Sequence, residues 1–142
     1  MKTMTTRTDS LNAAEQPETI SGRERKFVVL EHDSPFLHWD LLIEDGIGLA
    51  AWRLLQRPGP AVEAHAVSMP VHRRHYLTWE GPVSGGRGSV KRVYSGTLTL
   101  PHDWPSLDEW LDLMFTIHDS SVGSRCRLKQ NTDDGNMYWE FV

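Results

Sequence analysis

From residue 26 onward the chain runs in short stretches of β-branched, aromatic and aliphatic residues, each broken by turn formers before it reaches the length of a helix. The stretches span 26–31, 39–44, 49–55, 63–69, 75–79, 89–94 and 96–100, and Asp45-Gly46, Pro58-Gly59-Pro60 and Gly85-Gly86 punctuate them. This spacing favours antiparallel strands in a barrel or sandwich over βαβ units. Two further runs, 125–129 and 137–142, are joined by the polar turn 131–136 and would close the sheet. One segment departs from the pattern. Over 106–118, Leu107, Trp110, Leu111, Met114 and Ile117 recur at helical spacing opposite Asp108, Glu109 and Asp112. Ser106 and Glu109 form a capping-box signature, and Pro105 discourages an earlier start. The expected fold is therefore mainly β, an antiparallel barrel or sandwich with one packed amphipathic α-helix.

The chain has 142 residues, enough for one hydrophobic core and too few for two. Residues 1–22 are rich in Thr, Ser, Asn, Glu and Gln and read as a disordered polar tail, leaving 23–142 as a single domain. A net charge of −4 excludes a general electrostatic pull toward nucleic acid, so any polyanion must be held by local charge. Cys126 is the single cysteine, which rules out an internal disulfide and fits a reducing compartment. No signal peptide and no apolar run of membrane-spanning length is present, so the expected location is cytoplasmic, with no membrane partner.

The densest chemistry lies in His32-Asp33-Ser34-Pro35-Phe36-Leu37-His38-Trp39-Asp40. Side chains alternate along a strand, so His38 and Asp40 share a face, and the Ser34-Pro35 turn can fold His32 back beside them. Two neutral imidazoles and a carboxylate suit manganese, iron or zinc and leave coordination positions open for substrate. A second group lies in 71–81. There His72 could pass a proton to a leaving oxygen and the Tyr76 hydroxyl could hydrogen-bond a phosphoryl oxygen. On spacing alone, the plainer reading is a basic turn with a tyrosine anchoring a strand end. His65, His102 and His118 have no ligand partners nearby and read as surface or packing residues, His118 serving the last turn of the helix.

The run Phe27-Val28-Val29-Leu30-Glu31-His32-Asp33, followed by Leu37-His38-Trp39-Asp40 and Glu44-Asp45-Gly46, resembles the 3′-phosphoesterase domain of bacterial DNA ligase D, the end-processing module of non-homologous end joining. His72, Tyr76 and Trp79-Glu80-Gly81 keep the spacing of that family's second motif, and Trp52 sits where the family has a tryptophan. The resemblance extends over about residues 27–97, and 137–142 resembles the family's last, tryptophan-containing strand. It implies a small antiparallel β-barrel with one packed amphipathic α-helix, holding a divalent metal, usually manganese, with His32, His38 and Asp40 as ligands and His72 and Tyr76 contacting the phosphate. His38, Asp40, His72 and Tyr76 would then be the catalytic set. The implied substrates are DNA or RNA 3′ ends, from which a terminal ribonucleoside and then a 3′-phosphate are removed, with a separate DNA ligase and polymerase as partners.

The sequence departs from the family at Leu42, where an arginine is expected, at Ala64, and in the shortened segment Gly85-Gly86-Arg87-Gly88-Ser89. Arg53, Arg73, Arg74 and Arg87 are the remaining sources of charge for phosphate. Dianionic phosphomonoesters are expected to suffer most from the loss. Two alternatives stand beside this reading: a non-catalytic metal-binding module that docks on nucleic acid or repair proteins, and a mononuclear iron oxygenase built on the same two histidines and carboxylate.

Overall fold

The computed structural model describes residues 24–101 and 110–142. Among the described residues nine strands follow one another: β1 Glu24–His32, β2 His38–Asp45, β3 Gly48–Leu54, β4 Glu63–His72, β5 Gly81–Pro82, β6 Ser89–Thr99, β7 Met114–His118, β8 Arg125–Gln130 and β9 Met137–Phe141. They pair in the order β1-β2-β3-β4-β9-β8-β7-β6, and β6 returns to β1, which closes an eight-stranded antiparallel barrel; the short β5 hangs on β6. Closure leaves no long strand edge free to template a foreign strand.

Side-chain alternation divides the wall into two faces. The inward set draws on all eight barrel strands: Phe27 and Val29, Leu41 and Ile43, Trp52 and Leu54, Ala64 and Ala66, Leu98, Phe115 and Ile117, Cys126 and Leu128, Trp139 and Phe141. A smaller cluster, Val28, Leu30, Leu42, Leu49, Ala51, Val83 and Val90, lies on the outer face of β1–β3 and is covered by Met69, Tyr76 and Leu77. This second core is why β1 and β2 read as nearly continuous apolar runs rather than a clean alternation: both of their faces are buried.

The β2–β3 hairpin turns through Gly46 and Ile47, with Asp45 opposite Gly48. Gly46 takes φ +63 at the first central position, where a two-residue hairpin needs a left-handed residue. The resulting register places Arg53 opposite Asp40.

Three expectations require correction. The packed helix over 106–118 is not formed in its described part. Leu111 bridges Leu128, and Met114–His118 is strand β7. Phe115 and Ile117 enter the barrel at 0 % and 7 % exposure while Met114, Thr116 and His118 face outward. The barrel's need for a strand between β6 and β8 outweighs the helical spacing. His118 accordingly meets Thr99 Oγ1 at 2.9 Å across the β6–β7 pair instead of ending a helix. The strand expected at 75–79 is a 3-10 turn, Arg74–Leu77, which drops Tyr76 and Leu77 onto the outer core. Stretches 89–94 and 96–100 are one strand, β6, bent by a bulge at Val93. The polar tail at 1–22, His102 and the helix start at 106–109 lie outside the described residues. Among the described residues, no helix is long and apolar enough to cross a membrane.

Candidate metal centre

Three ligand-type side chains converge on the outer face of β1 and β2. His32 and His38 are direct cross-strand partners, and Asp40 lies one same-face step along β2 from His38. Their nearest ligand atoms all fall within 4.8 Å of one another. Asp40 Oδ2 lies 3.1 Å from His32 Nδ1, and Asp40 Oδ1 lies 3.1 Å from His38 Nε2. The far nitrogen of each ring is held by a backbone carbonyl: His32 Nε2 donates to Arg87 O at 2.8 Å, and His38 Nδ1 donates to Phe36 O at 2.8 Å. These bonds fix both tautomers so that the two remaining lone pairs face the carboxylate, the arrangement typical of metal-ligating histidines.

His38 is fully buried, and its Nε2 has no hydrogen-bond partner. Burial pushes the His38 imidazole below the usual histidine range, with the Arg53 and His32 charges acting in the same direction against the Phe36 carbonyl and Asp40. A neutral imidazole is the form that ligates a cation. The orphaned lone pair, the opposing carboxylate and the carbonyl-oriented rings together fit a divalent ion: two nitrogens and one oxygen, with further positions open toward solvent. The three side chains do not face different sides of the wall; they share one.

A pocket of about 570 Å³ opens beside this triad, lined by His32 and Asp40 on its floor and by His72, Arg73, Tyr76 and Arg87 on its walls. The sequence motif at 71–81 therefore reaches the same pocket as the first. Its route is a bulge. Between Met69, opposite Ala51, and His72, opposite Leu49, β4 carries one residue more than β3. Pro70 lies within it and has no N–H to give to the ladder, which confines it to such a place. The extra residue turns His72 to the outer face. His72 Nδ1 donates to Pro70 O at 2.9 Å, and its ring stands edge-on to Tyr76 with centroids 6.1 Å apart. Arg74 anchors the turn to the buried Glu44 carboxylate, which also accepts the Lys26 N–H at 2.7 Å.

Leu42 lies on the same strand face as His38 and Asp40 but is fully buried within the outer core. Of the four candidate arginines, Arg73 and Arg87 line the pocket, Arg74 is committed to Glu44, and Arg53 stands opposite Asp40. His65 lies apart from the site, its ring against Tyr138 at 5.3 Å. Two contributors carried no sequence signal, because they act through backbone carbonyls: Phe36 and Arg87. Arg53 did carry one, since the Asp45-Gly46 turn sets the hairpin register that puts it there.

Gly88 is the point where the β5–β6 turn is pressed against the site. It has φ +75, and a Cβ there would run into the Asp33 carboxylate and lie 2.6 Å from Ser34 Cβ. That carboxylate accepts the Ser89 N–H at 2.8 Å, and the neighbouring Arg87 carbonyl is the one that orients His32. Gly88→Ala is expected to lower stability by more than about 1 kcal/mol and, by shifting Arg87 O, to weaken metal affinity about 10-fold or more. Urea unfolding and metal titration of the variant check the two parts.

No protein-family model matches the chain, and no curated protein matches it.

Proposed function

We propose that the protein is a metal-dependent phosphoesterase that processes the 3′ ends of DNA or RNA strands, akin to the phosphoesterase domain of bacterial DNA ligase D. The observation that carries this reading is the meeting, in one pocket, of His32 and Asp40 from the metal triad with His72 and Tyr76 from a motif distant in sequence. His32, His38 and Asp40 would hold the cation, manganese being the first choice. When bound, such a cation draws charge from a phosphoryl oxygen and lowers the pKa of a bound water, supplying a nucleophile at neutral pH.

The chain's own groups do the rest. His72 has Nδ1 committed to Pro70 O, so its proton exchange with substrate runs through Nε2, toward the departing oxygen. The Tyr76 hydroxyl donates to a phosphoryl oxygen, and Arg73 and Arg87 set positive charge on the pocket wall. With Leu42 buried in the outer core, no arginine forks onto the phosphate from β2. Diesters, carrying one negative charge, are therefore the better substrates, and dianionic 3′-phosphates the poorer. The same leucine favours the second reading, a metal-bearing docking module without turnover.

Incubation with manganese and a primer strand ending in a ribonucleotide, beside one ending in a 3′-phosphate, decides between them. Manganese-dependent shortening of the first strand, faster than phosphate release from the second, is the expected result. No turnover of either strand would leave the docking module, and oxygen uptake with iron and an organic cosubstrate would replace both readings with an oxygenase.

A further inference from the structure

Beside the triad, on its β3 flank, stand two residues that the phosphoesterase reading does not use, Phe36 and Arg53. Arg53 is directly across from Asp40, on the outer face of β3 between the inward-facing Trp52 and Leu54. An arginine opposite an aspartate ordinarily pairs with it. Here the Asp40 carboxylate is turned to the two imidazoles, and the Arg53 guanidinium lies over the Phe36 ring, 5.3 Å from its centroid. Arg53 Nε has no hydrogen-bond partner. Phe36 is held at its base, because its carbonyl accepts the His38 Nδ1–H, and its ring stands edge-on to His38 with centroids 5.5 Å apart. Even so, 49 % of this large aromatic residue is exposed beside the triad.

We propose that Phe36 and Arg53 form a nucleotide subsite, the ring stacking on the base of a terminal nucleotide and the guanidinium taking its phosphate, which makes the substrate a single-stranded nucleic-acid end rather than a small phosphoester. The inference rests on the phosphoesterase reading of the triad and adds the seat of the terminal nucleotide and the single-stranded form of the end. Every base has a π-face, so an exposed aromatic plane binds bases without regard to sequence, and a cation against the ring strengthens the platform. A guanidinium forks onto two phosphate oxygens, which supplies from β3 the contact that Leu42 cannot make from β2. The overall charge of −4 is no obstacle, because Arg53 stands opposite Asp40 and Arg73 and Arg87 line the adjoining pocket, so cationic side chains border the site.

The test measures binding with chelator present, so that turnover plays no part. Fluorescence anisotropy compares a labelled single strand with a normal 3′-terminal base against the same strand with an abasic 3′ terminus. The wild type is expected to bind the first about 10-fold tighter, within the roughly 5- to 150-fold range of a stacked base. Phe36→Ala should erase that preference, and Phe36→Tyr should keep it. Arg53→Ala should weaken both strands, reduce the base preference in part and lower the salt dependence by about one phosphate contact. Equal binding of the two strands by the wild type, no binding of either, or a preference that survives Phe36→Ala overturns the proposal. Hydrolysis assays separate the two claims: a Phe36-dependent preference without manganese-dependent hydrolysis sustains the subsite and removes the phosphoesterase, and hydrolysis without the preference does the reverse.

Discussion

Replacing His38 by alanine is expected to abolish manganese-dependent hydrolysis, by about 1,000-fold or more, while leaving the barrel folded. The size follows from what the cation supplies, several kcal/mol of charge stabilisation in the transition state, where each 1.4 kcal/mol or so is tenfold in rate. Loss of a group that merely orients a metal ligand costs about 10- to 100-fold in affinity, so loss of a ligand itself exceeds that. The fold survives because His38 lies on the outer face of β2, apart from the barrel interior, and its own hydrogen bond goes to a local carbonyl, Phe36 O. His65→Ala, which touches only the ring stack with Tyr138, is the control that should retain activity. Circular dichroism together with metal titration separates loss of the ligand from loss of the fold. A His38→Ala protein that hydrolyses at the wild-type rate would remove His38 from the mechanism.

The largest effect on stability is expected at Trp139. Its side chain is fully buried in the barrel, with ring centroids 5.2 Å from Trp52, 5.8 Å from Phe115 and 6.5 Å from Trp110 and Phe141. These rings come from β3, β7, β9 and the approach to β7, so one side chain ties both halves of the closed sheet together. Trp139→Ala removes the largest fully buried side chain among the described residues and leaves a cavity that the surrounding rings cannot fill without leaving their rotamers, at a cost of about 3–5 kcal/mol. For a domain of ordinary stability, about 5–15 kcal/mol, that is a large fraction of the whole. Trp139→Phe keeps an aromatic plane and should cost distinctly less. Urea unfolding of the two variants measures the difference, and equal losses would show that the centre of the barrel is not packed around this ring.

What could be read from the sequence follows from how local each signal is. His32, His38 and Asp40 were legible because strand alternation and one short turn suffice to bring them together, and β1 and β2 do pair with His32 opposite His38. The strand cadence pointed to an antiparallel barrel or sandwich for the same reason, and the closure of β6 onto β1 makes it a barrel. The helix at 106–118 was misread because Trp110, Met114 and Ile117 satisfy a helical period, while the rule that won, closure between β6 and β8, is visible only once the other strands are placed. In the sequence only the resemblance joins His72 and Tyr76 to the metal ligands, because what brings them to the pocket, the bulge at Pro70 and the Arg74–Glu44 pair, depends on tertiary structure. The burial of Leu42 was hidden likewise, since the outer core that covers it is assembled from β3, β6 and the 3-10 turn as well as from β1 and β2.

Pulsed EPR of the manganese-loaded protein tests the metal centre most directly. A single Mn²⁺ per chain, coupled to two imidazole nitrogens, with one coupling lost in His32→Ala and the other in His38→Ala, is the result the convergence of His32, His38 and Asp40 requires. Failure to bind the ion, or a nitrogen signature that both substitutions leave intact, would contradict it.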